Sequence, residues 1–136
     1  MMQKLNDVMI NETQALGVLL LELENQHKNI VTNDVFGMEA CVNKIKEANK
    51  NIAHMEVLRR KITENKAMGP IIEAAKDPEL EKNFYKIKLL LQAAVLQKDT
   101  NELLIKQGLS FTNRMLNVLN PVRESKTYNG YGKVKR

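Results

Sequence analysis

Apolar residues recur at three- and four-residue steps along most of the chain, and that period belongs to helices. In the first segment Leu5, Val8, Met9, Leu16, Leu19, Leu20, Leu23 and Ile30 follow it, with Asn, Glu, Gln and Lys between them. This predicts one long amphipathic helix over about residues 2–30. Thr32-Asn33-Asp34 then offers side chains that cap a following helix, and Gly37 lowers helix propensity beside them. A second helix carries Val35, Met38, Cys41/Val42, Ile45, Ile52, Met55, Leu58 and Ile62. It must end before Pro70, because a residue preceding proline avoids the helical region, and Gly69 marks the stop.

The fragment 71–76 reads as one short helical turn. Asp77-Pro78-Glu79 then supplies an N-cap, a proline at the first helical position and an acid at the positive helix end. A third helix starts there. Its apolar positions run through Leu80, Phe84, Ile87, Leu91 and Val95, cross the polar stretch Lys98 to Glu102, and resume from Leu103 to Leu119. No proline interrupts it, so it is either continuous or kinked near Lys98 to Asn101. No internal repeat and no strand or hairpin signal is present. Long helices joined by short connections fold back on one another. The expected fold is therefore all-α: an elongated antiparallel bundle of three long helices with coiled-coil-like seams, a short helical turn near 70–76, and a flexible basic C-terminal tail. The bundle is assigned to 1–119 and the tail to 120–136.

Composition supports this reading. At 136 residues and 43% apolar content the chain has one domain's length and enough apolar material for a core. The 4% aromatic content and absence of Trp favour helix over sheet. The net charge of +5 would suggest nucleic acid if it were spread over the body. Most of it instead sits in the tail, where Arg123, Lys126, Lys133, Lys135 and Arg136 face only Glu124. Basic residues interleaved with Tyr128 and Tyr131 also describe a single-strand-binding segment, so a helical nucleic-acid-binding protein stays open as an alternative. So does a purely structural coiled-coil bundle. A tyrosine-centred peptide motif read by another protein is the third reading of the tail.

Catalytic and metal chemistry has little to stand on. Cys41 is the only cysteine, which excludes an internal disulfide and a CxxC motif and fits a reducing compartment. Its place beside Val42 reads as a small core residue. His27 and His54 lack acid or cysteine neighbours at ligand spacing and read as surface or boundary residues. Nucleotide, zinc-protease and serine-hydrolase motifs are missing. Neither an enzyme nor a cofactor is expected. The N-terminal stretch is not a secretory signal, and no apolar run approaches the roughly 20 residues that span a bilayer. The expected location is the cytoplasm, without membrane insertion.

The informative segment is 103–119, LLIKQGLSFTNRMLNVL. Ile105, Leu109, Thr112, Leu116 and Leu119 form one stripe at steps of four and three, and Leu104, Gly108, Phe111, Met115 and Val118 form a second one residue earlier. Such a face is wide enough for two helices. It serves either the two neighbours inside a three-helix bundle or an amphipathic helix from a partner.

The run NELLIKQGLSFTNRMLNVLNP, followed by ESKTYNGYG, resembles the C-terminal signature of the FlgN-like flagellar export chaperones: Asn-x-Leu-Leu, Leu-x-Phe-x-Asn, Leu-x-x-Leu and a Thr-Tyr tail. The likeness is specific over about 101–132 and generic, as amphipathic helices, over 1–97. It implies a cytoplasmic chaperone of flagellar type III secretion that holds the C-terminal amphipathic helix of hook-associated (hook-filament junction) proteins, stops premature polymerisation and delivers them to the export gate. Carried onto this sequence, the cargo groove falls on Leu104, Phe111, Met115 and Val118 with Gly108, while Ile105, Leu109, Leu116 and Leu119 pack inward or are shared. Tyr128 matches the tail tyrosine that is read by the cytosolic domain of the export-gate membrane protein. The sequence also carries Tyr131, and Gly108 stands where many relatives have serine. The export ATPase is a further partner to consider, and a homodimer hiding the cargo face is compatible with such seams.

Overall fold

The computed structural model describes residues 2–119, 127–128 and 134–135. Four helices account for nearly all of them: α1 (Met2–Val31), α2 (Val35–Thr63), α3 (Met68–Ala75) and α4 (Pro78–Leu119). The expected short turn is thus a two-turn helix. By its contacts the chain divides into two compact units, Met1–Asn101 and Glu102–Arg136.

Local chemistry sets most helix ends. Asp34 caps α2 by accepting a hydrogen bond from the Gly37 backbone N–H at 2.9 Å. Glycine leaves room for this cap: a Cβ on Gly37 would lie 2.6 Å from Asp34 Oδ2 and 2.8 Å from the Asn29 amide, and these side chains would have to shift. Asp77 caps α4 in the same way, accepting from the Glu79 N–H at 3.0 Å, with Pro78 opening the helix and Glu79 and Glu81 in its first turn.

The end of α2 differs from expectation. The helix stops at Thr63, because Glu64 and Asn65 take positive φ angles of 53° and 63° and the Asn65 N–H closes onto the Arg60 carbonyl at 2.9 Å. Gly69 and Pro70 do not mark that stop. They lie in the first turn of α3, where a proline has no intrahelical N–H bond to lose.

Within the unit Met1–Asn101 the side-chain contacts fix helix directions. Asn83 Nδ2 donates to Asn6 Oδ1 at 3.1 Å, and Asn101 Nδ2 donates to the Leu23 carbonyl at 2.8 Å, so this part of α4 runs in the same sense as α1. Arg59 pairs with Glu12 at 3.4 Å and Asn29 Nδ2 meets Cys41 Sγ at 3.3 Å, so α2 runs opposite to α1. The buried cluster joins Leu5, Met9 and Leu16 of α1, Met68 and Ile72 of α3, and Leu80 and Ile87 of α4. Eight-residue α3 acts as a plug at one end of this core. The short amphipathic segment caps apolar side chains that the three longer helices would otherwise leave open.

Several expected core positions are not core. Val35 and Val42 of α2 are exposed, as are Leu91 and Val95 of α4. The inward face of α4 is instead Leu80, Asn83, Ile87, Leu90, Ala94, Gln97 and Asn101, a strict three-four repeat in which every residue is buried or half-buried. Its polar members, above all Asn83 and Asn101, disguise the seam from an apolar-only pattern. Cys41 is buried, as read from the sequence, while His27 is half-buried and His54 exposed.

α4 is helical throughout Lys98 to Asn101. Beyond it, Thr127–Tyr128 and Val134–Lys135 form a two-residue antiparallel ladder pairing Thr127 with Lys135 and Tyr128 with Val134. No strand was expected. Two residues per strand are too short to show a period, although Thr, Tyr and Val are strand formers. Most of the tail assigned to 120–136, including Tyr131, lies outside the described residues.

Candidate helix-binding face

The spacing of the α4 seam does not end at Asn101. Adding three, then four, to Asn101 gives Leu104, Gly108, Phe111, Met115 and Val118, which is the second stripe read from the sequence. The register that buries Leu80 to Asn101 therefore runs on along the helix. Burial does not. Leu104 and Ile105 are half-buried, and every residue from Lys106 to Leu119 is exposed.

In the unit Glu102–Arg136 both stripes are bare beyond Ile105. Phe111 is 59% exposed and Val118 74%, and Met115 is exposed with them. Leu109 at 60%, Leu116 at 39% and Leu119 at 75% are exposed as well, so the stripe expected to pack inward is open too, apart from Ile105. Gly108 has nothing within 4 Å of where a Cβ would stand, so its lack of a side chain leaves a shallow notch between Leu104 and Phe111. Lys106 and Arg114 are on the other positions of the same turns. Of the docking tyrosines, Tyr128 lies in the two-residue strand and Tyr131 falls outside the described residues.

The reason for this exposure is local. Met, Phe and Leu at these positions keep the helix amphipathic, yet no described side chain seals them from solvent. Two adjacent apolar stripes on about four turns of helix offer a surface that pays a standing hydration cost until another apolar face covers it. Residues 104–119 carry no Cys, His, Asp or Glu. Among the described residues no group of three or more His, Cys, Asp or Glu could hold a metal ion. What the face can do is contact.

The sequence reading missed other exposed apolar side chains. Tyr85, Leu89 and Leu96 lie on the outer face of α4 in the first unit, and Phe36, 85% exposed, sits just after the α1–α2 turn. The signal for the first group was the four-then-seven spacing, hidden because that reading had already assigned α4's apolar residues to Phe84, Leu91 and Val95.

A bundle of long amphipathic helices with an uncovered apolar helix end belongs among proteins that act by binding other chains. Compared with known protein families, the chain matches FlgN protein over residues 1–136. It belongs to the FlgN family, the flagellar export chaperones, a family of chaperones and not of enzymes, whose members bind flagellar substrate proteins. Neither the curated proteins nor the solved structures yield a match. No described helix is long and apolar enough to cross a membrane.

Proposed function

We propose that this chain is a cytoplasmic chaperone of flagellar type III export that holds the C-terminal amphipathic helix of a hook-associated protein on the 104–119 segment of α4. The observation that carries the reading is the exposure of both stripes on a segment whose three-four register continues from a buried seam. A cargo helix that builds filaments must be apolar on one face, and it assembles prematurely unless that face is occupied. Leu104, Phe111, Met115 and Val118, with the notch at Gly108, take the cargo helix. Ile105, Leu109, Leu116 and Leu119 widen the contact. Met and Phe suit a face that adapts to more than one cargo sequence.

In the same reading the chain has a helical body, 1–119, and a tail, 120–136. Tyr128, with Tyr131 as the second tyrosine, docks on the cytosolic domain of the export-gate membrane protein, and the loaded chaperone is thereby delivered, with the export ATPase as a further contact. A homodimer would bury the same stripes and compete with cargo. Release needs no chemistry, only a competing helical partner.

Calorimetric titration with a synthetic peptide of a hook-associated protein's C-terminal helix tests this directly. One-to-one binding with a negative heat-capacity change is expected. Absence of heat and of saturation over a range of temperatures would contradict it.

A further inference from the structure

Three of the four non-glycine residues that take positive φ among the described residues bracket one eight-residue helix. Glu64 and Asn65, at 53° and 63°, stand before α3, and Lys76, at 50°, stands directly after it. The left-handed region is disfavoured for any residue with a Cβ, and glutamate and lysine lack the short amide with which asparagine offsets that penalty. Glycine, the usual residue past a helix end, would carry none of it. Backbone strain is therefore concentrated at the two ends of α3, and it persists only while the segment between them stays in place.

What holds α3 against the long helices is apolar contact alone. Met68 and Ile72 are each 7% exposed and belong to the core cluster, and half-buried Ile71 and Ala75 pack against it. Ala67 at the N-cap makes no side-chain hydrogen bond. Among the described residues no side chain from Asn65 to Lys76 forms a hydrogen bond or an ion pair. Gly69 lowers the helix propensity, and two turns of helix have no stability of their own in water. Away from the core α3 would lose its helical form, so its contacts are made and lost together.

The chain on either side is anchored without α3. Asp77 Oδ2 accepts from Asn6 Nδ2 of α1 at 3.2 Å, while its Oδ1 caps α4. On the other side, Arg59 ties the end of α2 to Glu12 of α1 at 3.4 Å.

We propose that residues 64–76 are a strap that opens and closes as one unit while α1, α2 and α4 stay folded. Closed, it completes the cluster in which Leu5, Met9 and Leu80 are 0% exposed. Open, it releases the strain at Lys76 and Asn65 and bares those three side chains as an apolar seat whose occupant is α3 itself. The device lies wholly within the unit Met1–Asn101 and is independent of the 104–119 face and of the function proposed for it.

The test is native-state amide exchange on the full ¹⁵N-labelled chain in low denaturant, beside the initial rate of peroxide oxidation of Met9 read by mass spectrometry. Amides of 71–76 should open at one shared frequency, about a hundredfold or more above those of 83–97, with one shared denaturant slope. Met9, although 0% exposed, should oxidise through the same opening. Lys76→Gly removes the left-handed penalty at some cost in open-chain entropy, and should slow both processes by about two- to fivefold. Ile72→Ala should speed both by about tenfold or more. Where the alanine variant fails to fold, the native chain and the glycine variant decide. Amides of 71–76 that open no more often than those of 83–97, or that each show a different denaturant slope, would overturn the proposal. So would a Met9 as well protected from peroxide as the 83–97 amides are from exchange, or faster opening in Lys76→Gly.

Discussion

The side-chain amide of Asn101 donates to the main-chain carbonyl of Leu23 at 2.8 Å, and Asn101 is 1% exposed. It also donates to Gln26 Oε1 at 2.9 Å and accepts from Gln97 Nε2 at 2.9 Å, so both N–H groups and the oxygen are used. At the other end of the α1–α4 seam, Asn83 and Asn6 make the matching polar contact at 3.1 Å. Three buried asparagines, Asn6, Asn83 and Asn101, in a mostly apolar seam fix one register, because a slip of α4 along α1 would leave several amide groups buried without partners.

Asn101→Ala should therefore lower stability by about 1–3 kcal/mol, the cost of leaving the Gln97 and Gln26 amides without their buried partner plus the small void. Asn101→Leu should lose less stability but hold α4 in register less firmly. Thermal unfolding measures the first effect, and faster amide exchange across 94–101 in the Leu variant measures the second.

The buried Glu12 gives a pH signature. Its pKa is raised from the ordinary 4.5, chiefly by burial, with Arg59 opposing the rise and Glu56 reinforcing it. A carboxyl whose folded pKa lies above its unfolded one favours the fold below the unfolded value, and that contribution is lost as pH rises through the folded value. Glu12→Gln, neutral at every pH, should thus melt higher than the native chain near neutrality. The gap should narrow as pH falls toward and below 4.5. Paired melts from pH 4 to 8 show it, and a gap independent of pH would refute it.

Gly37→Ala should destabilise the chain although alanine is the better helix former. Its Cβ would press on Asp34 Oδ2 and the Asn29 amide, both closer than 3.0 Å, and so disturb the N-cap of α2. A net loss of up to about 1 kcal/mol is expected, the value of a cap minus the propensity gain. Denaturant unfolding decides; a stabilised variant would show that the cap simply shifts aside.

Phe111→Ala combined with Met115→Ala should leave helicity and melting nearly unchanged, since both side chains are exposed, and should weaken cargo-helix binding by about tenfold or more. Circular dichroism and calorimetry on the same samples separate the two. Tyr128→Ala should leave cargo affinity intact and reduce docking on the export-gate domain. Equal loss of both would contradict a division of labour between α4 and the tail.

The parts of the fold legible in the sequence are those written in neighbouring residues. Asp77-Pro78-Glu79 sets the start of α4 through a single turn of backbone, and Thr32-Asn33-Asp34 sets the break before α2. The seam of α4 was harder. Leu91 and Val95 look more apolar than Asn83 and Asn101, and only the Asn6 and Leu23 partners, some 77 residues away, make the polar pair the buried one. Gly69-Pro70 misled for a related reason: the helix before it had already ended at two left-handed residues, and Glu64 is not a residue type that announces one. Of the candidate face, the stripes were visible and their exposure was not, because the same spacing serves a covered seam and an open one. The burial of Glu12 left no trace in the pattern, since a lone glutamate on a long helix ordinarily faces water.

The most direct test of the central claim is amide hydrogen exchange, read by mass spectrometry, on the full chain with and without the C-terminal helix peptide of a hook-associated protein. Slowing of exchange concentrated in 104–119, with 80–101 unchanged, is the predicted result. Saturable binding that protects some other segment and leaves 104–119 exchanging as before would contradict it.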